Sequence, residues 1–411
     1  MDRKRVAITG IGAVTPIGNT EAAMWQAMKD GVCGIAPITR FDTSDQKVTM
    51  GAEVKGFEYP DPREAKRMDL FAQYGVVAAD EAIAMSGLVP GENIDAARVS
   101  TYVGSGIGGI MTIEGEITKI HEKGVRFTSA LFVPMIIGNM VSGSIAIKHG
   151  LHGTAMDIVT ACASGTNCIG EAWRAVRDGY ADAVVCGAAE APFAAISFSS
   201  FANMKAMSTS QDPRRASIPF DKERAGFVMG EGAGVLVLEE YEHAKARGAV
   251  ILGEVAGYGT TCDAHHITAP LESGVYAAGA VAMAIESAGI KPEDIGYINA
   301  HGTSTPLNDA METKAIKDVF GAAAYKVPIS STKSMTAHLL GAAGAIEAVA
   351  CVHALAEGVL PPTIGRDVPD PDLDLDYVTE GARKADIRYA MSNNFGFGGH
   401  NGVVVFKRAE E

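Results

Sequence analysis

Three residues in this chain pair a reactive side chain with surroundings that would let a substrate reach it: Cys162, His301 and His338. Cys162 sits in DIVTACASGTN, where a β-like run gives way to a helix. A thiol there feels the partial positive charge of the helix N-terminus, which favours the thiolate and can bring its pKa to roughly 3.5–7.5. Ala161, Ala163, Ser164 and Gly165 flank it with little bulk. Free cysteine is otherwise a small buried apolar residue, which suits Cys186 in ADAVVCGAAE and Cys351 in an alanine-rich helix. His301 follows a short apolar run in INAHGTSTPLND, and His338 lies in STKSMTAHLLGAAGAIEA, with Lys333 before it and Glu347 after. A thiol nucleophile needs a base or hydrogen-bond donors beside it, and imidazole serves at neutral pH. Each histidine alone reads as readily as a satisfied core residue. Both are expected at strand ends near Gly and Ser/Thr clusters, where loop-borne sites occur. The pair, with the cysteine, points to nucleophilic catalysis.

Three other constellations imitate sites. Gly104, Gly106 and Gly109 fit G-x-G-x-x-G after a strand, but no second strand carries an acidic end about 20 residues on, as a dinucleotide fold requires. Cys262, Asp263, His265 and His266 resemble metal ligands without a matching pair at finger-like spacing. A polar loop along a substrate channel is the expectation there, and no metal or cofactor is expected. SNNFGFGGHNG (392–402) lacks the Lys-Ser/Thr of a phosphate-binding loop. Its aromatic–glycine alternation would let backbone N–H groups face a ligand, with Phe395 and Phe397 as a movable wall.

The elements that must position these residues follow from composition and pattern. The 411 residues are 47% hydrophobic and 20% charged, which suits a packed core rather than disorder. That length allows two units or one duplicated one. With 35 Lys+Arg against 49 Asp+Glu the net charge is −14, which argues against a nucleic-acid partner. Six scattered cysteines without C-x-x-C spacing fit a reducing cytosol better than a disulfide framework. The opening MDRKRVAITG reads as a strand, without the features of a signal peptide. FTSALFVPMIIGNMVSGSIAI (127–147) is uncharged and about long enough to span a bilayer. Pro134 in a first turn and Gly150 as a cap instead predict one helix of about 15 residues, buried in the protein or a subunit interface.

A weak internal repeat runs through the chain. RVAITGIGAVTP resembles VILGEVAGYGTT, ARVSTYVGSGIGG is echoed by EDIGYINAHGTSTPLND, and GAGVLVLEE by HNGVVVFKR. Two Ala/Gly-rich helical runs match as well, CASGTNCIGEAWRAVRDG closing on Gly179 and HLLGAAGAIEAVACVHALAEG closing on Gly358. Each follows a β-like run, MDIVTA and VPISSTKS. Alternating strands and helices predict an α/β fold of two similar halves around buried helices, 1–250 and 251–411.

TACASGTN, NAHGTSTPLND, KSMTAHLLGAAG and NNFGFGGHNG together resemble the β-ketoacyl-acyl carrier protein synthases, over nearly the whole chain. GFVMGEGAGVLVLEEYEHAKARGA is similar to the elongating type II of that family. The resemblance implies a thiolase-like five-layered αβαβα fold, a homodimer and a carrier-protein partner. It implies Cys162 as acyl acceptor and His301 and His338 as donors to the malonyl thioester carbonyl. Lys333 and Glu347 would support His338, and the N–H groups of Cys162 and Phe397 would hold the oxyanion. Ile107 would line the acyl pocket, while Thr303 and Thr305 would contact substrate. A synthase of type I or a polyketide ketosynthase shares this triad, whereas a non-catalytic chain-length partner usually lacks the nucleophile. An acidic enzyme binding an acidic carrier needs a local basic patch. Arg63, Lys66 and Arg67 in PREAKRMDLF supply one, and the resemblance places Arg126 and Lys205 near the pocket mouth.

Overall fold

The computed structural model describes residues 3–410; Met1 and Asp2, at the front of MDRKRVAITG, and Glu411 lie outside the described residues. Ten strands carry the fold: β1 (Val6–Val14), β2 (Val99–Gly104), β3 (Ala155–Met156), β4 (Ala183–Glu190), β5 (Gly232–Glu240), β6 (Gly253–Cys262), β7 (Ile295–Asn299), β8 (Ile329–Ser330), β9 (Tyr389–Gly396) and β10 (His400–Arg408). Their order across the sheet is β8-β7-β9-β10-β6-β1-β5-β4-β2-β3. Reading outward from the centre, β1-β5-β4-β2-β3 and β6-β10-β9-β7-β8 follow the same sequence of pairings: antiparallel, antiparallel, parallel, parallel. Each of the three strand-like repeats in the residues falls on a pair of equivalent strands. The halves join where Ala7 meets Glu254 and Ile8 meets Gly253.

Alternation along the strands sets the layers, because successive side chains leave opposite faces of a sheet. In β5, Leu236 and Leu238 enter a central core while Val235 and Val237 enter an outer one. In β10, Val404 and Phe406 join that same central core, and Val403 and Val405 an outer core of the second half. Five helices complete the arrangement: α1 (Leu70–Ser86), α2 (Ser164–Arg177), α3 (Val275–Ser287), α4 (Pro306–Phe320) and α5 (Ala343–Glu357). α2 and α5 pack between the inner faces of both halves, α1 covers one outer face, and α3 and α4 cover the other. The result is the five-layered αβαβα fold. A Cβ on Gly165 would lie 2.8 Å from Ala345 N, so glycine lets the two central helices approach closely. Among the described residues one helical stretch, Leu340–Glu357, is long and apolar enough to cross a bilayer, and 83% of it is buried inside the protein.

Two local expectations fail. The helix anticipated between Pro134 and Gly150 is broken into Phe132–Ile136 and Met140–His149. The Ile136 carbonyl accepts from Gly109 N instead of continuing the helix, and a Cβ on Gly138 would sit 2.2 Å from Asp157 Oδ2. The segment is also largely exposed on this chain, with Val133 at 58% and Ile147 at 81%. The β-like runs before the two central helices shrink to the two-residue strands β3 and β8, because both runs turn early into the loops that carry the site.

Candidate active site

The two halves each send a loop from the head of a central helix toward one cavity. Cys162 lies on a 3₁₀ turn, Ala161–Ala163, leading into α2. Ser164 Oγ accepts from Thr160 N at 2.9 Å and donates to the Ala161 carbonyl at 2.7 Å, which clamps the turn. Ala161 takes φ 50°, a left-handed value uncommon for a residue with a Cβ. A Cβ on Gly396 would lie 2.6 Å from Thr160 O and 3.1 Å from Cys162 N, so only glycine lets the β9–β10 turn reach Cys162.

That cavity holds about 90 Å3 and is lined by Cys162, His301, His338, Thr303, Thr305, Phe395 and Phe397, with Leu340 and Phe227 among its remaining walls. The His301 and His338 rings stand edge to face at 5.3 Å. His301 follows β7 as expected. His338 does not end a strand: its N–H donates to Val228 O and its carbonyl accepts from Gly230 N, at 2.8 and 2.9 Å. Leu340 N donates to His338 Nδ1 at 3.2 Å, and Asn394 Nδ2 approaches His301 Nδ1 at 3.4 Å. With Nδ1 accepting in both rings, each imidazole carries its proton on Nε2. Burial, aided by the Lys333 charge, holds both histidines well below the ordinary imidazole value. Both are neutral donors at physiological pH.

Lys333 and Glu347 form a buried ion pair, 1% and 2% exposed, and Asn394 Nδ2 donates to the second Glu347 oxygen at 2.7 Å. Asn394 thus joins the pair to His301, while its Oδ1 accepts from Thr166 on α2. Burial pushes the Glu347 carboxyl up, and Lys333 and Asn394 pull it back. The thiol reverses the expected direction. Cys162 is half-buried, and that burial pushes the thiol up to about 12. Lys333 and the N–H groups of Phe397 and Cys162 act the other way without offsetting burial. A helix N-terminus lowers a thiol pKa only as far as desolvation permits.

Ile107 does not line the cavity. It packs against an apolar cluster that contains Leu340, Phe227 and Phe198. Phe395 seats in a small core with Met311 and Ala315, its ring 5.8 Å from His301. Phe397 lies between two cavities, its ring 6.0 Å from Phe201. The outer cavity, of about 360 Å3, is lined by Lys205, Thr305, Leu307 and Phe397. Arg63, Lys66, Arg67 and Arg126 are exposed but border neither cavity. The first three lie on or just past the short helix Pro62–Ala65, and Arg126 stacks on Phe127 at 4.9 Å.

Two groups that imitated sites have other employment. Gly106 N and Ile107 N donate to Glu190, and Ser105 N to Asp157, so the glycine-rich loop offers these amides to carboxylates. Asp263 accepts from Asn401 Nδ2 and Leu271 N, and lines the cavity beside Asn401 as a channel loop would. No cluster able to hold a metal occurs among the described residues. Residue reading overlooked Asn394 and Glu312, which accepts from His301 N and Gly302 N at 2.8 Å and holds that loop. The available signal was Asn393–Asn394 inside a strand, where asparagine is disfavoured unless its amide has partners.

A thiol and two neutral imidazoles on one cavity, in a duplicated αβαβα frame, fit a thiolase-like acyl-transferring enzyme. The chain belongs to the β-ketoacyl synthase family: residues 3–244 match "Beta-ketoacyl synthase, N-terminal domain" and residues 252–367 match "Beta-ketoacyl synthase, C-terminal domain". It is 51% identical over 412 residues to 3-oxoacyl-[acyl-carrier-protein] synthase 2 of Synechocystis sp., covering 99% of each chain. It is 49% identical over 410 residues to the protein of the same name in Staphylococcus aureus strain COL, again with 99% of each chain covered. Among solved structures, it matches at TM-score 0.93 and 33% identity a ketosynthase complex described as "AntDE:AntF (apo): type II PKS acyl-carrier protein in complex with its ketosynthase bound to the hexaketide", covering 100% of both chains.

Proposed function

We propose that this chain is the type II 3-oxoacyl-[acyl-carrier-protein] synthase of fatty acid elongation, joining an acyl chain held on Cys162 to the two carbons of a malonyl thioester. The observation that carries this reading is the placement of one thiol and two Nε2-protonated imidazoles on a single cavity. In the first step the Cys162 sulfur attacks the acyl thioester carbonyl. The acyl–sulfur bond to the carrier breaks, and the carrier thiol leaves with the proton Cys162 gives up. The N–H groups of Cys162 and Phe397 stabilise the oxyanion, a contribution of roughly 2.7–4 kcal/mol per donor. In the second step the malonyl carboxylate leaves as CO2, and its bonding electrons collect as an enolate on the thioester oxygen. His301 and His338 donate to that oxygen. The enolate carbon then attacks the acyl-Cys162 carbonyl and expels the Cys162 sulfur as thiolate, which takes up one proton from solvent. Thr303 and Thr305 contact the substrate arm, and Phe397 gates between the outer and inner cavities.

The partner is acyl carrier protein, in line with the names of the relatives and the described ketosynthase complex. Arg63, Lys66, Arg67, Arg126 and Lys205 form its docking surface, and the two halves divide near residue 250. The working form is a cytoplasmic homodimer. β3 ends the sheet with both residues exposed, and Val133, Ile147 and Val159 (58, 81 and 56%) leave apolar surface beside that unpaired edge, the kind of patch and strand that a second copy covers. Reconstitution with an acyl-loaded and a malonyl-loaded carrier tests the reading. A 3-oxoacyl product two carbons longer and one CO2 per turnover are expected; CO2 release without that product would overturn it.

A further inference from the structure

Glu190 ends β4 wholly buried, and its carboxylate gathers four donors from two separate loops. Ser105 Oγ, Gly106 N and Ile107 N reach it at 2.9, 2.8 and 3.1 Å, and Gly341 N at 2.9 Å. The loops touch backbone to backbone: a Cβ on Gly341 would lie 2.5 Å from Gly106 N, and one on Gly106 would lie 2.7 Å from Glu190 Oε2. The first loop carries Ile107. The second descends from His338 through Leu340, whose N–H fixes the His338 tautomer, to Gly341 at the head of α5. Ile107 and Leu340 meet in one apolar cluster, and Leu340 faces the cavity beside Cys162. At about 90 Å3 that cavity is far smaller than the roughly 300–1,000 Å3 of ordinary small-molecule clefts. A chain extending past Cys162 would press on Leu340, which lines the cavity, and through the shared cluster on Ile107.

We propose that Glu190 is a positioning residue that ties the wall of the acyl pocket to the histidine centre, so that chain length and His338 alignment are set through one buried carboxyl group. The proposal rests on the condensing reaction above. A carboxylate accepts several bonds at once, and charge-assisted bonds are about twice as strong as neutral ones. Glu190→Gln keeps the volume but removes the carboxylate and turns an amide NH2 toward two of the four donors, loosening the tie between the loops. Ser105→Ala removes one donor on the Ile107 side and leaves the Gly341 tie in place.

The test measures Cys162 acylation with saturated pantetheine thioesters of graded length, and separately CO2 release from malonyl-pantetheine, with thermal midpoints recorded for each variant. Glu190→Gln is expected to narrow the spread of acylation rates across chain lengths by about tenfold and to slow decarboxylation by about tenfold. Ser105→Ala is expected to shift the length profile while leaving decarboxylation within about twofold. Unchanged profiles in both variants, or one common factor of loss at every length and in decarboxylation, would overturn the proposal. If Glu190→Gln does not fold, Ser105→Ala decides alone: a shifted profile supports the tie and an unchanged one refutes it. Absence of acylation in the wild-type enzyme would instead remove the condensing reading itself.

Discussion

The His301 and His338 rings meet at 85° with centroids 5.3 Å apart, each neutral and each protonated on Nε2. Two such donors on one cavity suit a single developing oxyanion. His301→Ala and His338→Ala should each raise the decarboxylation barrier by about 2–4 kcal/mol while acylation of Cys162 persists. CO2 release from a malonyl thioester, followed beside intact mass, checks this. Normal decarboxylation in both variants with failed condensation would give the histidines another role.

Because burial and Lys333 keep both imidazoles neutral, wild-type decarboxylation should not fall as pH drops through the ordinary histidine range near 6.5. A group with a lowered pKa gains its proton only at lower pH, so the donor form persists there. A rate that halves near pH 6.5 in a stopped-flow profile would contradict that environment.

The thiol predicts an opposite slope. With its pKa pushed up to about 12, the Cys162 thiolate fraction should grow roughly tenfold per pH unit well past pH 9. Alkylation by a neutral reagent should climb without a plateau below that point. A plateau below about pH 7.5, the behaviour of a thiol governed by its helix terminus, would show that burial does not dominate.

Much of this site was legible in the residues. Cys162, His301 and His338 stand in motifs whose small neighbours leave room for substrate, and the repeat of strands is visible because alternation is local. Long-range consequences were not. The helix break at Gly138 depends on Asp157, Ile107 joins the cluster around Leu340 only once both loops are folded, and the direction of the thiol shift depends on burial that no motif carries. The ties through Asn394, Glu312 and Glu190 join residues far apart in the chain, so composition hints at them and spacing cannot.

Lys333 and Glu347 are buried together, so removing one charge strands the other. Lys333→Met should cost about 3–5 kcal/mol in urea unfolding, and adding Glu347→Gln should recover part of it. Equal stability of the single and double variants would show that Lys333→Met leaves no costly stranded charge at Glu347.

Docking should be electrostatic. Lys66→Glu with Arg67→Glu should raise KM for acyl carrier protein with kcat nearly unchanged, an effect that shrinks above ~0.15 M salt, where the Debye length is ~8 Å. Turnover of a pantetheine thioester should be unaffected. Equal loss with that small donor would place the damage in the fold rather than at the surface.

The most direct measurement is a chase of the acyl-enzyme. The wild-type protein, loaded with an acyl donor and freed of excess, should carry one adduct, mapped to Cys162 and absent from Cys162→Ala. Malonyl-carrier should then remove that mass while one equivalent each of 3-oxoacyl product and CO2 appears. An adduct that persists in Cys162→Ala, maps to another cysteine, or remains after CO2 has been released would contradict the account.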